Sequence, residues 1–216
     1  TCFRNYNSCM KEIKIVSPVK KPEDIDLFAT ETSCREYYVY YKKFLNNNFD
    51  YVDEFVAAAK RNNCAIYINF KHDITEENLA EIKKMLKYLK TAGIDGIFIN
   101  SFAILEAIKV FNLPFKVVVD SYFDIHNIAG IDFINNFHKV DEIIITEEIY
   151  MKNIAKIKKY TKLPLAIDTD NLPWCAEDIK KLGAIDKVVI KGKFVNSEEI
   201  LEGIELVEKI LEKPKL

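Results

Sequence analysis

The chain has 216 residues, with 31 basic and 33 acidic side chains that give a formal charge of -2. This near balance disfavours nucleic acid as the main partner, because proteins that bind nucleic acid usually carry a strongly basic surface. No apolar run approaches the roughly 20 residues of a membrane-spanning helix. The opening residues also lack an apolar signal-peptide core, so the sequence predicts a cytoplasmic protein without membrane contact. The length predicts one domain over 1–216, with an extension at 1–11 and the folded core at 12–212.

Short apolar runs bounded by turn residues predict eight strands. In chain order they are EIKIVS (12–17), EYYVYY (36–41), AIYINF (65–70), GIFIN (96–100), FKVVVD (115–120), EIIIT (142–146), LPLAID (163–168) and KVVIKG (187–192). Helical patterns lie between and after them, at 22–30, 50–62, 75–93, 101–111, 124–137, 147–160, 173–182 and 196–211. Gly93 stands where the third helix should end, and Asn196 or Ser197 is expected to cap the last one.

The strands have continuous rather than alternating hydrophobicity, which is typical of a parallel sheet covered by helices on its outer face. Eight such strand–helix units predict a compact (β/α)8 TIM-type barrel. An open doubly wound sheet is the alternative. It is disfavoured because no glycine-rich phosphate loop follows the first strand, and the chain holds only six glycines.

In such a barrel, the polar residues at the carboxyl ends of the strands form one face, which is where function usually lies. As bases or metal ligands we select three carboxylates: Asp120, Glu147 and Asp168. As ligand-binding residues we select five others: Asn69, Asn100, Tyr122, Lys191 and Lys193. Alternation along strands seven and eight should place Asp168 beside Lys191 at one rim. The competing interpretation is a set of helix N-caps and rim salt bridges.

The five cysteines indicate reduced thiols rather than a disulfide framework. Cys34 and Cys64 are expected in the core, Cys2 and Cys9 precede the barrel, and Cys175 is a lone thiol near the functional face. His126 and His138 have no partner at recognised metal-ligand spacing, so no metal site is predicted.

From Lys14 to Val207 the sequence resembles the collagenase-like peptidase family U-32. The matching stretches are KIVSPVKKPEDI with Pro18, AIYINF with Asn69, LKTAGIDGIFIN, VVVDSYFDIHN with Asn127, EIIITEEI with Glu148, and AIDKVVIKGKFVNSEEI with Gly192. Three residues depart from the family pattern: Glu147 and Lys193 each replace an arginine, and Lys191 replaces a glutamate.

The resemblance implies a barrel whose relatives include proteins assigned as proteases and proteins needed for oxygen-independent hydroxylation of ubiquinone precursors and tRNA. Those relatives carry a cysteine-rich segment between strands seven and eight, where cysteines bind an iron–sulfur cluster in the hydroxylation proteins. Here DTDNLPWCAED leads almost directly into a helix, with Cys175 as its one cysteine. A four-iron cluster normally needs four thiolates, so no cofactor is predicted. No Ser-His-Asp or Cys-His set supports proteolysis either.

The leading hypothesis is a family U-32-like barrel that binds a small anionic molecule or a peptide through Lys191, Lys193 and Asn69, with catalysis open. One alternative is a non-catalytic partner in a homodimer or in a heterodimer with a cluster-bearing relative, using aromatic residues of EYYVYYKKF as interface anchors. Another is a phosphate-binding barrel enzyme that uses KGKFVNSEE at the start of the last helix.

Overall fold

The strands pair in sequence order and close into a barrel, as seen in a computed structural model that describes residues 12–40, 50–70, 79–123, 125, 127–137, 139–145, 154, 156–169 and 185–212. The strands are β1 (Lys14–Pro18), β2 (Glu36–Tyr40), β3 (Ala65–Phe70), β4 (Gly96–Ile99), β5 (Lys116–Val119), β6 (Glu142–Ile144), β7 (Leu165–Asp168) and β8 (Lys187–Val189). The helices with described bounds are α1 (Pro22–Glu31), α2 (Asp50–Arg61), α3 (Leu79–Ala92), α4 (Phe102–Val110), α5 (Ile128–Phe137) and α6 (Ser197–Glu212). Residues 156–160 are also helical, and Ser121–Phe123 form a 3-10 turn.

Barrel closure rests on β1, which pairs in parallel with both β2 and β8. Val16 lies opposite Glu36 on one side and Val189 on the other. The predicted (β/α)8 barrel is therefore confirmed, and the open doubly wound alternative is wrong. The predicted strands agree with the observed ones to within a few residues at their ends.

Both faces of the strands are buried, which explains their continuous hydrophobicity. One face of each strand fills the barrel interior, where eight side chains form a single cluster: Val16, Tyr38, Tyr67, Phe98, Val118, Ile144, Ala166 and Val189. The other face packs against the helices in a second, larger cluster. Tyr37 and Tyr38 are both fully buried. These two aromatic residues are strand-packing residues, and the partner subunit stays a prediction.

Helix ends follow the local sequence. Gly93 ends α3 with a φ of +95°, as predicted from its position. Asn196 rather than Ser197 caps α6, because its Oδ1 accepts a hydrogen bond from the Glu199 N–H at 2.9 Å.

Cys34 is buried as expected, and burial raises the pKa of its thiol to about 12, whereas Cys64 is only half-buried. None of the helices among the described residues is long and apolar enough to cross a membrane.

Three aspartates fasten neighbouring strands in pairs at the amino end of the barrel. Each aspartate directly precedes an even-numbered strand and makes two hydrogen bonds to one residue of the preceding odd-numbered strand. The aspartate side chain accepts a hydrogen bond from the backbone N–H of that residue, and the aspartate backbone N–H donates to the carbonyl oxygen of the same residue. Asp95 is bonded in this way to Ile66 at 2.8 and 3.0 Å. Asp141 is bonded to Val117 at 2.8 and 2.9 Å, and Asp186 to Leu165 at 2.8 and 2.8 Å. These clamps fix the pairing register of β3–β4, β5–β6 and β7–β8.

Charged side chains fill the amino end of the barrel interior. The Lys187 ammonium pairs with a carboxylate oxygen of Glu36 and lies 3.0 Å from Glu142 Oε2, which Lys116 approaches at 2.8 Å. The Tyr67 hydroxyl donates to Glu36 Oε2 at 3.0 Å. Burial alone would raise the pKa of Glu36, but the attraction of Lys187 and the hydrogen bond from it hold that pKa below its ordinary value. The exposed Lys14 also lies 3.7 Å from Glu36 Oε1, so three lysines approach the two glutamates among the described residues.

Gly96 lies where the Tyr67 ring crosses the interior. A Cβ at this position would lie 2.6 Å from the Lys116 carbonyl oxygen and 2.6 Å from two Tyr67 ring carbons. We expect Gly96→Ala to lower the free energy of unfolding by about 1–3 kcal/mol through overpacking, as measured by urea denaturation. Gly203→Ala in α6 is the matched control, because its Cβ would meet atoms no closer than 3.8 Å. The control should stabilise by about 0.5–1 kcal/mol, since alanine is the better helix former. Equal effects of the two substitutions would contradict this account.

Candidate functional site

The predicted polar residues converge at the carboxyl end of the barrel interior, which we call the mouth. Asn69, Asp120, Asp168 and Lys191 each come two residues after an interior side chain of their own strand. Strand alternation therefore keeps them on the inner face. All four are buried, with Lys191 exposing 8% of its surface.

Lys191 links opposite sides of the mouth. Its Nζ lies 2.7 Å from Asp120 Oδ1 and 3.6 Å from Asp168 Oδ2. The predicted closeness of Asp168 and Lys191 is confirmed. The shorter pair, between the end of β5 and the end of β8, spans the barrel rather than joining neighbouring strands. Alternation along one strand could not predict that contact.

Ser121 stands at the centre of this charged group, although sequence reasoning did not select it. Its Oγ accepts a hydrogen bond from Lys191 Nζ at 2.7 Å and lies 3.0 Å from Asp168 Oδ2 and 3.2 Å from Asp120 Oδ1. The hydroxyl can donate to either carboxylate while it accepts from the ammonium. A serine directly after a strand is common as a cap, so only the closed barrel distinguishes this one.

Asp120 bonds four residues of the mouth through its carboxylate. Besides Lys191 and Ser121, its carboxylate accepts from the Tyr122 N–H at 3.2 Å and from Asn69 Nδ2 at 3.4 Å. Thr169, which the sequence did not single out, ties β7 to the end of β8 through two bonds to the Lys191 backbone, at 2.9 and 3.0 Å. Lys191 is thus fixed at its main chain and at its ammonium.

Aromatic side chains line the same region. The Lys191 Nζ lies 4.8 Å from the centre of the Tyr122 ring, within cation–π range. Tyr122 is half exposed, so it forms part of the outer surface of the site. The Tyr38 hydroxyl donates to the Ile190 carbonyl at 2.8 Å and lies 3.2 Å from the Tyr40 hydroxyl. Burial raises the pKa of Tyr38 well above its ordinary value, so this phenol is neutral at physiological pH.

Asn100 and Lys193 lie outside the bonded network of the described residues. Asn100 Oδ1 is buried and has no hydrogen-bond partner within the described part of the chain. Lys193 is exposed at the rim. Glu147 and Cys175, as well as Cys2 and Cys9, lie outside the described residues, so their predicted places stay predictions.

The described residues contain no group of three or more His, Cys, Asp or Glu side chains that could hold a metal ion. A groove of about 550 Å³ lies elsewhere, at the amino end of the barrel beside α4 and β5. Its carboxylates, Asp95 and Asp141, already bond backbone N–H groups. The mouth is therefore the better candidate for function.

Fold and site together define a (β/α)8 barrel protein with a charged, hydrogen-bonded cluster at the carboxyl ends of its strands. Residues 37–169 match the family model of peptidase family U32, which covers more than half of the chain. The chain belongs to peptidase family U32. Comparison with curated protein sequences gave no match.

Solved structures resemble this chain over nearly its whole length. The U32 peptidase Mk0906 has a TM-score of 0.64 at 12% identity, over 90% of this chain and 97% of its own. Thiamine phosphate pyrophosphorylase from Pyrococcus furiosus has a TM-score of 0.63 at 10% identity, over 94% of this chain and 100% of its own. The YdjI aldolase from Escherichia coli K12 has a TM-score of 0.59 at 13% identity, over 94% of this chain and 90% of its own. At these identities the likeness shows the fold alone.

Proposed function

We propose that this family U32 barrel binds a small molecule or short peptide through a carboxylate at the mouth. The observation that carries the proposal is the bonding of Lys191. An ammonium group has three N–H donors. Two of them bond Asp120 and Ser121, and no described residue accepts the third within hydrogen-bond distance. A ligand oxygen is a natural acceptor for it.

Asn100 offers the complementary group. Its buried Oδ1 lacks a donor among the described residues, and a buried acceptor left without a donor is costly. A ligand N–H or O–H would satisfy it. A peptide carries both an acceptor for Lys191 and a donor for Asn100, which supports a peptide or another ligand with both kinds of group.

The charges of the mouth disfavour a doubly charged anion more than a singly charged one. Asp120, Asp168 and Lys191 together carry about one net negative charge, which exposed Lys193 offsets at the rim. Two buried carboxylates would repel a doubly charged phosphate more strongly than a carboxylate. Lys193 can meet the ligand first because it is exposed, and Lys191 then supplies the buried contact.

Calorimetric titration with short peptides that carry either a free or an amidated C-terminus tests this proposal. We expect the free acids to bind more tightly, and Lys193→Ala to weaken their binding by roughly 3- to 10-fold, as expected for loss of about 1 kcal/mol from an exposed charge. Lys209→Ala is the matched control, because its side chain is 71% exposed on α6. Equal binding of free and amidated peptides would overturn the carboxylate assignment.

A further inference from the structure

Two buried lysines lie four residues apart along β8 and its extension, one at each end of the barrel interior. Their side chains are almost equally buried, at 7% exposure for Lys187 and 6% for Lys191. Lys187 is held by two glutamates at the amino end, where residues of this fold serve stability. Lys191 is at the mouth, where catalytic residues of this fold lie.

Groups that can accept a proton surround the Lys191 ammonium. Asp120 Oδ1 is within hydrogen-bond distance at 2.7 Å. Ser121 Oγ, at the same distance, connects the amine to Asp168 through a further bond of 3.0 Å. Both carboxylates therefore lie close enough to accept or return a proton of the amine without moving far.

We propose that Lys191 is a nucleophile that forms an imine with the carbonyl group of a small 2-oxo acid. The inference rests on the proposed function and deepens it: Lys193 at the rim holds the carboxylate of the ligand, and the ligand oxygen that Lys191 contacts is the carbonyl oxygen next to the carbon it attacks. A lysine amine attacks carbonyl carbons readily once it is neutral, which is the basis of Schiff-base catalysis. A 2-oxo acid carries the required carboxylate and carbonyl on neighbouring carbons.

The step balances within the described residues. The Lys191 ammonium passes one proton to Asp120, and the neutral amine forms a C–N bond with the ketone carbon while the ketone oxygen takes up that proton. The carbinolamine then loses its hydroxyl as water: the amine proton goes to Asp168 through Ser121 and from there to the leaving oxygen. The products are a protonated imine on Lys191 and one water, with no oxidant or reductant consumed.

Reductive trapping tests the imine directly. Wild-type protein is incubated with pyruvate and sodium cyanoborohydride, digested, and mapped by mass spectrometry. We expect one reduced pyruvate adduct at Lys191 and none at Lys187, the equally buried lysine at the opposite end. Adducts spread over exposed lysines, an adduct at Lys187, or no adduct would each overturn the inference.

Variants and a non-reactive ligand separate this inference from the proposed function. Lys191→Arg keeps the positive charge but cannot form an imine, so its trapping should fall at least 10-fold, whereas Lys209→Arg should trap as wild type does. Because the site is mapped on wild-type protein, a misfolded variant does not decide the outcome. Lactate has the carboxylate but no ketone: lactate binding without pyruvate trapping would leave the proposed function standing and overturn the imine. Absence of pyruvate trapping would overturn the imine, and the proposed function would also fall if neither lactate nor the free-acid peptides bind.

Discussion

Lys187→Met is expected to lower the free energy of unfolding by about 3–5 kcal/mol, because it leaves two buried glutamates without their shared ammonium. Glu142 exposes 1% of its side chain and Glu36 12%, so water cannot replace the lost partner well. Lys116 still reaches Glu142, and among the described lysines Glu36 keeps only Lys14, which is 66% exposed and 3.7 Å away. The measurement is urea denaturation at neutral pH, with Lys209→Met as the exposed control, expected to change stability by no more than about 0.5 kcal/mol.

The same cluster predicts how stability depends on acid. Because the folded-state pKa of Glu36 is lowered, its contribution is present above the unfolded-state value of about 4.3 and is lost as the pH falls through the folded-state pKa. In Lys187→Met the main cause of that lowering is gone, so the variant should lose less stability than wild type below pH of about 4. An equal loss of stability in wild type and Lys187→Met as the pH falls would contradict the assigned role of Lys187.

Lys191→Met is expected to weaken carboxylate binding by about 10- to 100-fold, as loss of a charge-assisted hydrogen bond predicts. It should also destabilise the fold by about 3–5 kcal/mol, because Asp120 and Asp168 then share the mouth without a counter-charge. Lys191→Arg is the informative companion, since it restores the positive charge. We expect it to recover most of the stability while binding stays weakened, because the longer guanidinium does not fit the contacts to Asp120 and Ser121.

Calorimetry and thermal unfolding on the same preparations separate the two effects of that substitution. Binding that persists in folded Lys191→Met at wild-type affinity would show that the ligand carboxylate lies elsewhere. Stability unchanged in Lys191→Met would show instead that the two aspartates are solvated or protonated in the folded protein.

The barrel itself could be predicted because strand order and hydrophobicity are local properties of the sequence. The bonds of the mouth could be predicted only in part. Asp168 and Lys191 belong to neighbouring strands, so their closeness follows from register. Asp120 and Lys191 are 71 residues apart and meet across the barrel, which depends on the width of the closed interior. Ser121 belongs to the polar residues that follow the strands, but its role could not be predicted, because a serine after a strand has the same sequence context whether it caps a turn or joins two charges.

The amino-end cluster was missed because strand ends are often polar. Glu36, Glu142 and Lys187 were treated as the first residues of strands, where a charged side chain usually points to solvent. Closing the sheet turns these three side chains inward, and burial then makes their pairing obligatory. The carboxyl-end residues escaped this error because function is expected at that face of a barrel.

The aspartate clamps at the strand starts have a consequence for how such a barrel could have arisen. Asp95, Asp141 and Asp186 each join an odd strand to the even strand that follows it, so in three of the four quarters the unit with its own alignment device is two strands rather than one strand with its helix. A gene segment that encodes one quarter would carry its own alignment device. Duplication or exchange of whole quarters would therefore preserve strand alignment, whereas a breakpoint inside a quarter would separate an aspartate from the residue it holds.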